Sequence, residues 1–185
     1  MTYSDPDTVT NSVIQTFTGE MFDIFNPERH KIQLRDISHA ISMICRYGGH
    51  TREFYSVAEH CVLMAGWFVD QEKYDLARVA LLHDATEAYM GDLVRPLKLQ
   101  PALTHYRVVE DNLQGAIFSN YGLPPGMPME VKEADLRICN DERAVLMHDR
   151  AWSIDVYPHL GVTLQCWTQH QAEQSWLDMY WRLFG

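Results

Sequence analysis

The sequence lacks the apolar segments of a membrane or secreted protein. Its longest uncharged apolar run, Cys61–Val69, is far shorter than the roughly 20 residues that a membrane-spanning helix needs. The first residues, Met1–Asp5, contain neither the basic start nor the apolar stretch of a signal peptide. We therefore predict a cytoplasmic protein with no membrane partner.

Closely spaced cysteines are also missing. The four cysteines form no CxxC or similar pair: they are Cys45, Cys61, Cys139 and Cys166. Isolated cysteines in apolar surroundings favour reduced, core-filling thiols over a thiolate metal site. Because the chain also has nine histidines, any metal site is expected to use histidine and carboxylate ligands.

Positive charge is scarce, since 15 Lys and Arg residues face 25 Asp and Glu residues and the formal net charge is −10. This balance argues against nucleic acid as a partner. A site for a phosphorylated small molecule would need a bound cation or a local basic cluster.

What is present indicates a single, mostly α-helical domain spanning 1–185. Asp36 is a candidate N-cap for the first helix, and Ser56 with Glu59 three residues later forms a capping-box pattern for the second. Apolar spacing predicts helices over 36–47, 56–68, 74–89, 102–121, 128–148 and 168–183, with an irregular segment at 152–164.

Residues 1–35 differ from the rest. The stretches Ile14–Phe17 and Met21–Phe25 alternate in part between apolar and polar residues, and Thr18-Gly19 lies between them. This pattern predicts a short N-terminal β-hairpin with its lead-in.

The densest polar cluster lies at the end of the predicted third helix. His83, Asp84 and Glu87 are three or four residues apart, a spacing that places them on one side of a helix. A divalent cation would satisfy such a group on an otherwise apolar helix. His148-Asp149 repeats the dipeptide, but no acidic residue follows it closely, and we interpret that pair as chance.

A complete metal shell needs ligands from other helices. His60 lies in the apolar helix 56–68, and Asp135 lies between apolar positions in helix 128–148. A carboxylate on a buried helix face needs a strong partner. A histidine in an apolar helix is more often an ordinary core or surface residue, so His60 is a candidate only together with the others.

Five short segments together resemble the HD-domain phosphohydrolase superfamily, and more narrowly the small bacterial 5′-deoxynucleotidases and the phage dATP triphosphohydrolases. They are Ile44-Cys45-Arg46-Tyr47, Ser56-Val57-Ala58-Glu59-His60, Leu81-Leu82-His83-Asp84-Ala85-Thr86-Glu87, Gly91-Asp92 and Glu133-Ala134-Asp135. The segments follow the family's order at similar intervals, and they are specific only as a set.

The resemblance implies an HD-domain helical bundle and a homo-oligomer. It implies four metal ligands: His60, His83, Asp84 and Asp135. Glu87 and Asp92 would orient the attacking water or the leaving oxygen, while Arg46 would contact a phosphate. Lys98 would supply a further phosphate contact.

A divalent metal suits the hydrolysis of a phosphate ester because it screens the negative charge and lowers the pKa of bound water. Two histidines and two aspartates suit Fe, Mn, Co or Zn, and Mg could accompany the substrate phosphates.

Other residues near these segments predict a substrate pocket. Tyr47 could stack on a base, and Gly48-Gly49 could let the backbone approach a ligand, although a helix C-cap and a link explain the glycines equally well. Arg52 and Arg95 would extend a cationic rim. His50 is a weaker candidate for an auxiliary ligand.

The predicted function is metal-dependent hydrolysis of a deoxynucleotide. A dNTP triphosphohydrolase acting on dATP is favoured, because a triphosphate needs several cationic contacts and because 14–19 and 45–49 look more phage-like. A 5′-deoxynucleotidase acting on dNMPs is the alternative. A non-catalytic metal- or nucleotide-binding regulator is the alternative of another class.

Overall fold

The computed structural model describes residues 12–185, and the part of the predicted lead-in before Ser12 lies outside them. Two antiparallel strands, β1 (Val13–Gln15) and β2 (Met21–Asp23), form the N-terminal hairpin. The α-helices that follow are α1 (Leu34–Met43), α2 (Val57–Val69), α3 (Tyr74–Leu82), α4 (Glu87–Met90), α5 (Arg95–Lys98), α6 (Thr104–Asn120), α7 (Met129–Leu146) and α8 (Gln169–Phe184). The predicted mostly α fold with a short hairpin is confirmed.

The hairpin is shorter than predicted but has the expected turn. Ile14 pairs with Phe22, and Gly19 takes a positive φ of 89° between the strands. Phe22 is fully buried and stacks on Tyr89 at 4.3 Å between ring centroids. The hairpin is therefore packed against the helices through its second strand.

The prediction of Asp36 as a helix N-cap is wrong. Gln33 occupies that position, and Asp36 lies within the first turn of α1. The Asp36 carboxylate instead accepts hydrogen bonds from the backbone N–H of Thr18 at 2.7 Å and from its hydroxyl at 3.0 Å. Asp36 thus ties the hairpin turn to α1.

Helix α2 is the centre of the core, apolar over most of its surface and packed against α1, α3 and α8. Ser56 caps its N-terminus as predicted, accepting the Glu59 backbone N–H at 3.0 Å. The reciprocal bond of a capping box is replaced, because the Glu59 carboxylate accepts backbone N–H groups from 165–167. No helix within residues 12–185 is long and apolar enough to cross a membrane.

The helix predicted over 74–89 is interrupted. Helix α3 ends at Leu82, and residues 83–86 form tight turns before α4. The backbone bonds there join residues three apart, such as Glu87 N–H to the Asp84 carbonyl at 3.0 Å. Side chains three residues apart eclipse in such turns, so Asp84 and Glu87 lie on the same side.

Residues 147–168, between α7 and α8, contain no helix or strand. This agrees with the irregular segment predicted at 152–164. The segment passes beside the site described next.

Candidate metal centre and cleft

Four side chains from three parts of the chain converge at one point. His60 comes from the middle of α2, His83 and Asp84 follow the end of α3, and Asp135 comes from α7. The Nε2 atoms of His60 and His83 are 3.3 Å apart. The structure therefore brings together the four residues that the sequence suggested as ligands.

The carboxylates complete a compact set of ligand atoms. Asp135 Oδ1 lies 3.3 Å from His60 Nε2 and 4.0 Å from His83 Nε2. Asp84 Oδ2 lies 3.2 Å from His83 Nε2 and 3.7 Å from His60 Nε2. Ligands bound to one ion at about 2.0–2.2 Å are separated by roughly 3.0–3.6 Å, so these distances are close to those of a coordination shell.

Each histidine is oriented by a hydrogen bond at its other nitrogen. His60 Nδ1 lies 2.6 Å from Glu142 Oε1, and His83 Nδ1 lies 2.7 Å from the Ala80 carbonyl oxygen. Both partners accept, so each Nδ1 carries a proton and each Nε2 faces the shared point, where it can bind a cation after losing its own proton. Histidine ligands of metals are held in this way. The residues present therefore fit a divalent cation.

The charges around this point are strongly coupled. Burial raises the pKa of Asp84, but the neighbouring His83 outweighs it and holds that pKa well below its usual value. Burial likewise raises the pKa of Asp135, but the hydrogen bond and the charge of His60, together with the charge of His83, outweigh burial, and the pKa of Asp135 is lowered. Both aspartates therefore stay anionic, as ligands of a cation must.

Cys61 is also close but is a poor ligand. Its Sγ lies 3.8 Å from His83 Nδ1, so a second grouping of Cys61, His83 and Asp84 is geometrically possible. The nitrogen that Cys61 approaches is already bonded to the Ala80 carbonyl. Burial raises the pKa of the thiol, which therefore stays protonated and packs as part of the core.

Glu87 and Asp92 lie beside the ligands and have unusual electrostatics. Glu87 is 7% exposed, and its Oε2 has no hydrogen-bond partner within the described residues. Burial, followed by the charges of Asp84 and Asp92, raises the pKa of Glu87 well above its usual value. Burial also raises the pKa of Asp92. A buried carboxyl group with an uncommitted oxygen can accept or hold a proton.

Arg46 and Tyr47 meet the cluster from the turn after α1. Arg46 is 8% exposed, with Nη1 at 3.2 Å from Asp84 Oδ2 and Nε at 3.4 Å from Glu142 Oε2. The Tyr47 hydroxyl donates to Glu142, and Tyr47 adopts a positive φ of 58°. Arg46 therefore carries positive charge to the edge of the metal centre.

Glu142 is a site residue that the sequence interpretation missed. It is fully buried in α7 and contacts His60, Tyr47 and Arg46. Burial raises its pKa, but Arg46 and then His60 reverse the effect, so the carboxylate stays ionised. Its position seven residues after Asp135, two helical turns along the same face, is the signal that could have identified it.

The metal centre opens into a cleft of about 610 Å³, a size typical of small-molecule sites. The charged residues of its lining are Arg46, Asp84, Glu87, Asp92, Arg95, Lys98 and Asp135. The apolar residues of its lining include Leu93, Val94, Pro96, Leu99, Met147, Trp152 and Ile154. Tyr47 and Arg95, two of the residues suggested for substrate binding, line the cleft.

The structure places Arg52 outside the lining of this cleft. The Arg52 backbone N–H donates to the Leu146 carbonyl at 2.9 Å, which holds this residue at the end of α7. Its side chain approaches His148 Nδ1 at 3.4 Å and lines an adjacent cavity of about 680 Å³, which shares Met147 and Ala151 with the cleft. Neither His50 nor Arg52 is among the residues that line the 610 Å³ cleft.

Comparison with known proteins finds relatives of this helical domain. The chain is 43% identical over 132 residues to the uncharacterized protein YfdR of Escherichia coli strain K12, covering 71% of each chain. The chain therefore belongs to the same family as YfdR.

A second relative is more distant. The chain is 34% identical over 124 residues to the uncharacterized protein RCAP_rcc00048 of Rhodobacter capsulatus. That alignment covers 63% of this chain and 62% of the relative, which is less than two thirds of its length. No family model matches the chain.

Proposed function

We propose that this protein is an HD-type, metal-dependent phosphohydrolase acting on deoxynucleotides. The observation that carries the proposal is the convergence of His60, His83, Asp84 and Asp135 beside a cleft that is lined by both charged and apolar residues. The resemblance of the motifs to HD-domain phosphohydrolases supplies the reaction class.

The four residues would hold one divalent transition metal, Fe, Mn, Co or Zn. Such an ion would lower the pKa of a bound water and screen the charge of the phosphate. Glu87, with its raised pKa and uncommitted Oε2, would take or return a proton during hydrolysis. Asp92 would orient the attacking water or the leaving oxygen.

Cationic side chains along the cleft would hold the phosphate. They would provide the local positive charge that an anionic substrate needs on a protein with a net charge of −10. Arg46 is the closest to the ligands, and Arg95 and Lys98 also line the cleft. Lys98 Nζ lies 2.5 Å from Glu110 Oε1, so a substrate phosphate would compete with that carboxylate. Mg could accompany a longer phosphate chain.

The apolar and aromatic residues of the cleft lining support a substrate with a flat, weakly polar group, as in a nucleoside. Within this class, a dNTP triphosphohydrolase acting on dATP is the first candidate, by the resemblance to the phage enzymes. The position of Arg52 outside the cleft favours a second candidate, a 5′-deoxynucleotidase, because fewer cations are then available for a triphosphate.

The test is incubation of the full chain with a panel of dNTPs and dNMPs under Mn²⁺, Co²⁺, Zn²⁺, Fe²⁺ or Mg²⁺, with the products separated by chromatography. Release of intact triphosphate supports the first candidate, and orthophosphate released only from dNMPs supports the second. Metal binding without hydrolysis of any substrate would identify a non-catalytic regulator and overturn the proposal.

A further inference from the structure

The connection between α7 and α8 supplies one wall of the cleft. Its residues 150–157, called the strap below, carry Trp152, Ser153 and Ile154 into the cleft lining. The sequence interpretation gave these residues only as an irregular segment.

The strap is irregular but firmly attached to α7. Asn140 donates through Nδ2 to the carbonyl oxygens of Ile154 at 3.2 Å and Tyr157 at 2.8 Å. Within the strap, the Trp152 backbone N–H donates to Asp155 Oδ2 at 2.8 Å. The position of Trp152 is therefore set by hydrogen bonds as well as by packing.

Arg143 in α7 makes the most contacts with the strap. Its guanidinium pairs with Asp155, donates to the Arg150 carbonyl, and lies with Cζ 4.5 Å from the centre of the Trp152 ring. An arginine stacked on an aromatic face stabilises and orients it. One face of Trp152 is thus occupied from outside the cleft.

Trp152 contacts Tyr47, and both residues line the cleft. The two ring centroids are 6.1 Å apart and the planes are inclined at 71°. Trp152 is 39% exposed, so part of its side chain remains accessible to a ligand. Two inclined aromatic rings form a corner in which a flat group can stack on one ring and contact the edge of the other.

The geometry points to Trp152 as the residue that binds the nucleobase, with Tyr47 as its edge partner and Arg143 as a positioning residue that acts through Trp152. This inference rests on the proposed function, since it concerns the same cleft. It assigns a specificity role to a residue outside the segments that resemble HD-domain enzymes.

The test compares Trp152→Ala and Trp152→Phe with Trp181→Phe, a matched control on α8 that is 61% exposed and outside the cleft lining. For the deoxynucleotide that the unsubstituted protein cleaves best, Trp152→Ala should raise KM about 5- to 150-fold, as expected for a lost base–aromatic stack. The inhibition constant of the base-free inorganic phosphate or triphosphate product should not rise with it.

Two further variants separate positioning from general damage. Trp152→Phe keeps an aromatic face and should recover most of the lost KM. Arg143→Lys should raise KM with little change in kcat, because it loosens the strap without touching the reacting atoms. Equal changes in the nucleotide KM and the product inhibition constant would overturn the inference.

Tryptophan fluorescence during a titration with dATP provides a second readout that needs no turnover. Quenching should be largely lost in Trp152→Phe and retained in Trp181→Phe, and a Glu87→Gln background slows hydrolysis during the titration. If no substrate is cleaved but this quenching contrast is found, the proposed function fails while Trp152 remains a nucleotide contact. Quenching that is unchanged in Trp152→Phe overturns the role of Trp152 even if hydrolysis is observed.

Discussion

The chain contains the dipeptide His-Asp twice, and the two copies have opposite surroundings. His83 is buried with a histidine and two carboxylates within 4.0 Å of its Nε2. His148 and Asp149 are both exposed after the end of α7, and His148 Nδ1 lies 3.4 Å from the Arg52 guanidinium. The dipeptide is the same, but only His83-Asp84 has the partners of a metal site.

The difference lies in how the neighbouring helices are packed. The first pair follows α3, which packs against α2 and so brings His60 close to His83. Helix α7 contributes Asp135 to the same point. The second pair begins an irregular connection. It lines a cavity whose other lining residues carry both positive and negative charges. A His-Asp pair therefore becomes a candidate metal centre through tertiary contacts, and each copy can serve as the control for the other.

The largest expected effect is the loss of activity in His83→Ala. Removing this imidazole takes away a ligand and leaves Asp84 and Asp135 without one of their charge partners. We expect kcat/KM for the best deoxynucleotide substrate to fall by at least about a thousandfold. His148→Ala, the matched change, should keep the activity of the unsubstituted protein. Comparable activities in the two variants would contradict the distinction between the pairs.

Glu87→Gln should lower kcat by about 100- to 10,000-fold, the usual range for loss of a proton-transferring group. The amide keeps the size of the side chain but cannot take up the proton. Metal content should stay at the level of the unsubstituted protein, which distinguishes Glu87 from the ligands. Asp111→Asn, an exposed change on α6, is the control; a Glu87→Gln variant with lost metal would make Glu87 a ligand instead.

Glu142→Gln should weaken metal affinity about 10- to 100-fold, because Glu142 orients His60 and increases its basicity as a ligand. Competition with a chelator of known affinity measures the change. Glu133→Gln, exposed on the same helix, provides the comparison. If both variants bind metal equally, the hydrogen bond to His60 has no role in holding the ion.

Glu59→Gln should affect stability rather than the metal centre, although Glu59 is adjacent to His60. The Glu59 Oε1 accepts two backbone N–H groups and Oε2 accepts a third, so an amide must turn its own N–H₂ toward a donor. We expect a loss of about 1–3 kcal/mol in the free energy of unfolding, measured with urea. Glu53→Gln, which is exposed, should change little, and an equal loss there would remove this role of Glu59.

The helical pattern predicted the order of the main elements, because each helix has an apolar face that the core covers. It also suggested the local grouping of His83, Asp84 and Glu87. Their apolar surroundings made His60 and Asp135 candidates, but only the resemblance assigned them as ligands. The convergence of these residues with His83 and Asp84 depends on how the helices pack, which the pattern of a single helix does not show.

Other features escaped prediction for identifiable reasons. The break after Leu82 coincides with a bond between His83 Nδ1 and the Ala80 carbonyl, which helix propensity does not include. Glu142 lies in an ordinary charged segment of α7, and its burial follows from packing. The position of Arg52 could not be predicted. The path of the chain after Gly49, where φ is 78°, depends on contacts with the end of α7.

Metal stoichiometry is the most direct test of the central claim. The full chain, stripped with a chelator, is titrated calorimetrically with Mn²⁺, Co²⁺ or Zn²⁺ beside His83→Ala and His148→Ala. We expect one tightly bound ion per chain in the unsubstituted protein and in His148→Ala, and none in His83→Ala. Binding that survives in His83→Ala, or is absent from the unsubstituted protein, would contradict a metal centre at His60, His83, Asp84 and Asp135.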